Sequence, residues 1–278
     1  MKKILITGSS GYIGTHLCEM LKDEYEVHQL DIRPPQKELD YHYQQTYYPF
    51  DITKPFTNHD TVYDAVIHLA GLVSVNESQV RPISYYITNL NGTMNVLNKI
   101  KTKNFIFAST GLAEYCNNPY AISKLAAEDV VRSYAEMAKI DYTIFRFYNV
   151  LGSIVVLPTN QDGLLLKLIE ASKTGMFTIF GDDYPTRDGT CLKDYIHVNE
   201  VCAAIKTAIE DPANKLENLG HGVGHTVKEM AAMFQKINNV SFDTKIGPRR
   251  VGEVGVYVLA DVSPYMNTMY STNELLKV

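Results

Sequence analysis

The chain has 278 residues, 45% of them hydrophobic, enough for one large domain with an appended second lobe. A formal net charge of −5 leaves no surplus of cations to neutralise a run of phosphates, which argues against nucleic acid as a partner, and no apolar run approaches the length of a membrane span. The four cysteines, Cys18, Cys116, Cys191 and Cys202, stand far apart with no Cys-x-x-Cys pair, so the expectation is buried reduced thiols, with no metal site and no disulfide framework.

Residues 3–7 form the first expected strand. The apolar run there is too short for a signal peptide, and a cytoplasmic protein is expected. A helix over residues 12–21 and a second strand over 26–31 follow. Further strands are expected over 65–70, 104–109 and 142–147, separated by helical patterns over 83–100 and 119–138. Asn118 before Pro119 is a helix start, with a side-chain oxygen at the N-cap and then a residue that has no N–H to leave unpaired. This alternation predicts an α/β fold: a Rossmann-type parallel sheet with helices on both faces. After Asn149 the pattern loosens into turns, with helices near 164–172, 199–209 and 227–237. The expected division is a nucleotide-binding domain over 1–150 and a smaller substrate-binding lobe over 151–278, with 190–212 packing back on the first.

Gly8, Gly11 and Gly14 fall where the first strand turns into the first helix. Glycines there let the backbone approach a pyrophosphate and aim the helix N-terminus at its charge. Asp31, at the end of the second strand, stands where a carboxylate accepts hydrogen bonds from an adenosine ribose. It would repel a 2′-phosphate, so NAD is expected rather than NADP, with Arg33 two residues later pulling weakly the other way. Tyr120 and Lys124 are i and i+4 on the helix opened by Pro119, so they leave the same face. A tyrosine near pKa ~10 is a poor base at neutral pH, and an adjacent ammonium favours its phenolate. Thr110, at the end of the preceding strand, can donate to a substrate oxygen held beside the phenol.

Together these residues resemble the extended short-chain dehydrogenase/reductases, whose glycine spacing is Gly-x-x-Gly-x-x-Gly, and within them the UDP-glucose 4-epimerase group. Residues 179–198, which include Gly181-Asp182-Asp183-Tyr184-Pro185-Thr186 and Asp194-Tyr195-Ile196-His197, carry the longest match. His68-Leu69-Ala70-Gly71-Leu72, Asn89-Leu90-Asn91-Gly92-Thr93 and Pro248-Arg249-Arg250-Val251-Gly252-Glu253 support it. The resemblance implies that Gly8, Gly11, Tyr12, Ile13, Gly14, Asp31, Ile32, Asp51, Ile52, Leu69, Ala70, Gly71, Asn89 and Tyr148 line NAD, together with Tyr120 and Lys124. Thr110, Tyr120 and Lys124 would carry the chemistry, while Asn149, Phe180, Lys193, Arg250, Glu253 and Tyr257 would face a UDP-sugar beside Thr110. It also implies a homodimer. By the implied mechanism, Tyr120 takes the proton of the sugar 4-hydroxyl while hydride passes from C4 to NAD. The 4-keto sugar then turns over and accepts the hydride on its other face, inverting C4. His197 is expected to pack in the core with one hydrogen bond.

The chain departs from the family pattern at four places. Val73 replaces a lysine, Lys193 replaces an arginine, and Glu253 replaces an aspartate. Only nine residues separate Thr110 from Tyr120, where the family has a loop longer by about a dozen residues. That shortening predicts a more open sugar cleft. A nucleotide-sugar dehydratase, a dehydrogenase that exchanges NAD with solvent and a non-catalytic NAD-sensing module remain alternatives. The Asp-Glu pair that a dehydratase places after the threonine is Gly111-Leu112 here.

Overall fold

Short β-branched runs alternating with amphipathic helices build a seven-stranded parallel sheet in the computed structural model, which describes all residues except 36–45, 57–59, 153–154, 159, 161, 259–260 and 267–269. The strand order is Lys215–Leu219, Asp141–Phe147, Asn104–Thr110, Ala65–His68, Lys2–Thr7, Tyr25–Asp31 and Thr46–Pro49. The central strands of such a sheet are covered by helices on both faces. Every residue of Asn104–Thr110 and of Ala65–His68 is accordingly buried. The order reverses between Lys2–Thr7 and Ala65–His68, and in open α/β sheets ligands bind in the crevice at the strand ends beside such a reversal.

On one face, Leu17, Cys18 and Leu21 of the Tyr12–Leu21 helix pack with Val201, Cys202 and Ile205 of the Val198–Glu210 helix. On the other face, Val96 and Leu97 pack with Ala127 and Val131 of the Pro119–Ala138 helix. Each such buried aliphatic side chain contributes roughly 1.5–3 kcal/mol. The Pro119–Ala138 helix begins as expected, with the Asn118 side chain accepting from the Ala121 N–H at 2.9 Å, and ends on Lys139 in the left-handed conformation at φ 56°. The helix expected over 83–100 runs over 82–99, with a π-helical segment, Tyr86–Asn91, between its α-helical parts Pro82–Tyr85 and Gly92–Lys99. Such turns re-aim side chains, and here Asn89 is turned inward, fully buried.

The second lobe is organised around Leu192–His197. This strand pairs with Gly224–Thr226, Val256–Tyr257 and Asn149–Leu151. A second pair, Met176–Phe180 with Asp243–Gly247, lies against helices Leu164–Thr174 and Val227–Asn238 over a core that includes Leu165, Leu168, Phe177 and Phe234. The return to the first lobe differs from the one expected over 190–212. Leu192–His197 pairs within the second lobe but places Ile196 in the core of the first, the Val198–Glu210 helix packs on the first, and Lys215–Leu219, beyond the expected span, completes its sheet. Three of the cysteines are buried free thiols, but Cys116 is exposed, because it sits at φ 48° in the short turn before Asn118 rather than in a strand or helix. Among the described residues no helix is long and apolar enough to cross a membrane, and no cluster of side chains could hold a metal ion.

Candidate active site

The first glycine turn is as tight as its sequence demands. Gly8 has φ 72°, and a Cβ there would lie 2.6 Å from the Ala70 nitrogen, while one on Gly14 would lie 2.2 Å from the Gly8 carbonyl oxygen. A Cβ on Gly11 would meet only the Gly8 oxygen, at 3.1 Å, so the backbone there is open toward the crevice. The turn delivers the free N–H groups of the Tyr12–Leu21 helix to one end of a cavity of about 1640 Å³. Asp31 stands beside it, held by the Ser10 N–H at 3.1 Å and the Arg33 N–H at 2.9 Å. The Arg33 side chain is 4.0 Å away and more than half exposed. Asp51 accepts from the Thr53 N–H at 2.9 Å, and Ile52 packs on Gly92, so both are fixed while they line the cavity. Ile13, Ile32, Leu69, Ala70, Gly71 and Tyr148 complete this end of the wall, and the Tyr12 hydroxyl donates to the Gly152 carbonyl at 2.5 Å. An open backbone, a helix N-terminus and a fixed carboxylate in one crevice fit an adenine dinucleotide without a 2′-phosphate.

Asn89 does not line this cavity. Its amide oxygen accepts from the Leu72 N–H at 2.8 Å, and its amide nitrogen donates to the Leu72 carbonyl and to Ser123, both at 3.0 Å. It therefore holds the Leu72 backbone and ties it to Ser123, with both polar atoms of its side chain engaged.

Deeper in the cavity stand Thr110, Tyr120 and Lys124, all nearly buried. Burial pushes the Tyr120 hydroxyl up to about 12, with the Thr110 side chain acting to lower it. Burial pushes the Lys124 ammonium down to about 8, opposed by the charge of Glu128 one helical turn on. The Lys124 Nζ donates to the Ala108 carbonyl at 2.7 Å and lies 4.6 Å from the centre of the Phe107 ring. Glu128 is fully buried; Arg146 donates to it through Nε at 2.9 Å and Nη2 at 2.8 Å, and Ser109 donates through its hydroxyl. One carboxylate thus ties the helix carrying Tyr120 and Lys124 to the strand ending in Thr110.

At the far end, Asn149 donates to the Asp194 carbonyl at 2.8 Å, and the Arg250 guanidinium lies 4.1 Å over the Phe180 ring. Lys193 and Glu253, both expected to face the sugar nucleotide, line the cavity and form an ion pair with each other. Their charges cancel, which leaves Arg250 as the cation of that end without a carboxylate partner among the described residues. Tyr257 stacks on Tyr148 at 4.4 Å with rings 9° from parallel, and the Tyr115 ring meets it edge-on at 5.9 Å. His197 is buried, accepts from the Asn199 N–H at 3.1 Å and stacks on Tyr270, as a core residue should.

Sequence reasoning missed Ala108, which anchors Lys124, and the Ser109–Glu128–Arg146 set. Glu128 continues the i, i+4 series from Tyr120 and Lys124, and that spacing was the available signal. Ser109 and Arg146 carry no local pattern, because they meet Glu128 only through strand pairing.

The profile of the NAD dependent epimerase/dehydratase family matches residues 4–220. The chain is 32% identical to a UDP-glucose 4-epimerase of Haemophilus influenzae over 90% of this chain and 87% of that one. It is 30% identical to the Bacillus subtilis enzyme of the same name, over 90% and 86%. The crystal structure of a Bifidobacterium longum UDP-glucose 4-epimerase in complex with NAD+ and UDP superposes with a TM-score of 0.87 at 26% identity, covering 99% of this chain and 96% of that one. A UDP-Glc/GlcNAc 4-epimerase of Campylobacter jejuni superposes with a TM-score of 0.80 at 28% identity, covering 99% and 97%. The profile begins in the first strand and ends just past the strand that completes the sheet, so it takes in the whole cofactor crevice and the Tyr120–Lys124 helix: the chain belongs to the NAD dependent epimerase/dehydratase family.

Proposed function

We propose that this chain inverts C4 of a UDP-linked hexose, interconverting UDP-glucose and UDP-galactose with NAD as cofactor. The observation that carries the proposal is the placement of Thr110, Tyr120 and Lys124 in one cavity, between the dinucleotide crevice and the Phe180–Arg250 end. Phe180 offers a flat ring to a base, and Arg250 offers a bidentate cation to a diphosphate. Bound NAD supplies the redox chemistry at C4, oxidising it and then reducing it. Tyr120 takes the proton of the 4-hydroxyl and returns it after the sugar has turned over. Lys124, held by Ala108 in the same cavity one helical turn after Tyr120, is assigned the part of favouring the phenolate that burial disfavours. Thr110 donates to the 4-oxygen and orients it. Burial of all three excludes water from the ketone.

A dehydratase requires a further acid and base beside the threonine. The backbone there is Gly111-Leu112, and the nearby Glu114 is engaged by Arg146 at 3.1 Å, which favours epimerisation. The chain acts as a homodimer in this reading, supported by exposed Ile83, Ile87 and Met94 on one helical run and exposed Ile122 on the helix packed beside it. A cytoplasmic location accords with four free cysteines. NMR of UDP-glucose, UDP-galactose and their N-acetylated forms incubated with protein and NAD tests the function. Interconversion at C4 is expected; a 4-keto-6-deoxy product, or no turnover, would overturn it.

A further inference from the structure

Gly111 directly follows Thr110, and a Cβ on it would lie 2.2 Å from the Tyr257 hydroxyl oxygen and 2.8 Å from Cε2 of Tyr148. Any side chain at 111 would therefore expel the phenol. Tyr148 and Tyr115 hold the Tyr257 ring from two sides, as described above, and Tyr257 is 4% exposed. Its hydroxyl oxygen is fully buried and makes no hydrogen bond of ordinary geometry. A hydroxyl buried in that way costs about 1–3 kcal/mol, so a protein that keeps one in its reaction site invites a functional account. The Thr110 side chain and the Tyr120 phenol are among the groups that act on this hydroxyl.

Thr110 Oγ1 already accepts from the Leu112 N–H at 3.2 Å. A hydroxyl oxygen has two acceptor sites and one hydrogen to donate. If the second acceptor site is also filled, that hydrogen can only point outward.

We propose that Tyr257 is a positioning residue for the epimerase reaction: its hydroxyl donates to Thr110 Oγ1 during turnover, so that Thr110 is left as an obligate donor to the sugar oxygen that Tyr120 deprotonates. Gly111 is the feature of the chain that admits the hydroxyl to this place. Burial keeps the Tyr257 hydroxyl well above its usual ionisation range, so it stays a donor at working pH. The inference rests on the 4-epimerase reading and assigns the hydroxyl, rather than the bulk of the ring, a part in the rate.

The test is steady-state kinetics of UDP-galactose turnover with NAD for the parent chain, Tyr257→Phe, Gly111→Ala, Thr110→Ala and the Tyr257→Phe/Thr110→Ala double variant. Tyr257→Phe keeps the ring and loses only the hydroxyl. It is expected to lower kcat about tenfold with KM within about twofold, the size of one lost hydrogen bond. Gly111→Ala, which displaces the phenol, should reproduce that loss, and the double variant should be no slower than Thr110→Ala alone. Parental kcat in Tyr257→Phe, an effect confined to KM, or a full further loss in the Thr110→Ala background would each overturn the proposal. Failure of the parent chain to interconvert the sugars would instead overturn the 4-epimerase reading on which it rests.

Discussion

Replacing Glu128 with glutamine preserves the shape of the side chain and removes its charge. In the parent chain the carboxylate is fully buried and takes two N–H bonds from Arg146, at 2.9 and 2.8 Å, together with the Ser109 hydroxyl. A glutamine offers one oxygen to these donors and turns its own amide hydrogens toward the others, leaving Arg146, mostly buried, with only Glu114 for charge. Breaking a buried pair in this way costs about 3–5 kcal/mol. For a chain of this size that is a fall in Tm of about 6–20 °C. A second effect is electrostatic. Glu128 opposes the burial that brings Lys124 down to about 8 from an ordinary 10.5, so without it Lys124 loses its proton at lower pH. In the proposed mechanism turnover requires the ammonium, so the alkaline limb of kcat is expected near pH 8 in the parent and at lower pH in Glu128→Gln. The sign for stability is the reverse: between about 8 and 10.5 the unfolded chain binds the proton that folded Lys124 has lost, so the cost of burying this lysine is full below that window and relaxes as pH rises through it. Calorimetry and a pH–rate profile measure the two effects independently. A Tm within about 2 °C of the parent, with the alkaline limb in place, would refute the assignment of Glu128 as the group that ties the site together.

Tyr120→Phe should leave NAD bound and the fold intact while lowering kcat about a hundredfold or more; equilibrium dialysis and initial rates distinguish this from lost binding. NAD should bind at least about tenfold more tightly than NADP, or about 1.4 kcal/mol, because the Asp31 carboxylate is fixed by two backbone N–H groups. Equal affinities in a titration would mean that the Arg33 side chain governs the ribose pocket. Gly14→Ala forces a Cβ to 2.2 Å from the Gly8 oxygen. It should cost about 1–3 kcal/mol of stability and most of the NAD affinity, and unchanged denaturation and NAD binding would show that the turn is looser than its geometry.

The strands and helices around the cofactor were legible because their signals are local. Asn118 and Pro119 start a helix by themselves, and the glycine triplet marks its own turn. Thr46–Pro49 and Lys215–Leu219 were not foreseen. Lys215–Leu219 contains Lys215, Glu217 and Asn218 and lies at the sheet edge, where only one neighbour pairs with it, so it lacks the apolar run of a central strand. In the site, Tyr120 and Lys124 could be paired from i, i+4 spacing, and the cation at Arg250 from its motif. The cancellation of Lys193 by Glu253 could not, since sixty residues separate them and only the fold brings them together. Asn89 was placed on the cofactor by resemblance, whereas the π-turn sends its amide to the Leu72 backbone.

The late return of the chain to its first sheet also bears on how the protein is made. Until Lys215–Leu219 has emerged, Asp141–Phe147 is the open edge of the nascent sheet, a strand rich in Phe145, Phe147 and Ile144 with every edge hydrogen-bonding group unpaired. Translation at about 5–20 residues per second delivers the missing strand roughly 4–14 s later. The Val198–Glu210 helix, which covers Phe145 and its neighbours, arrives in the same interval. An unpaired apolar edge is the usual template for association between chains. Newly synthesised copies on one polysome would therefore be most prone to aggregate during those seconds, and a chaperone that binds extended apolar segments would find its target around residue 145.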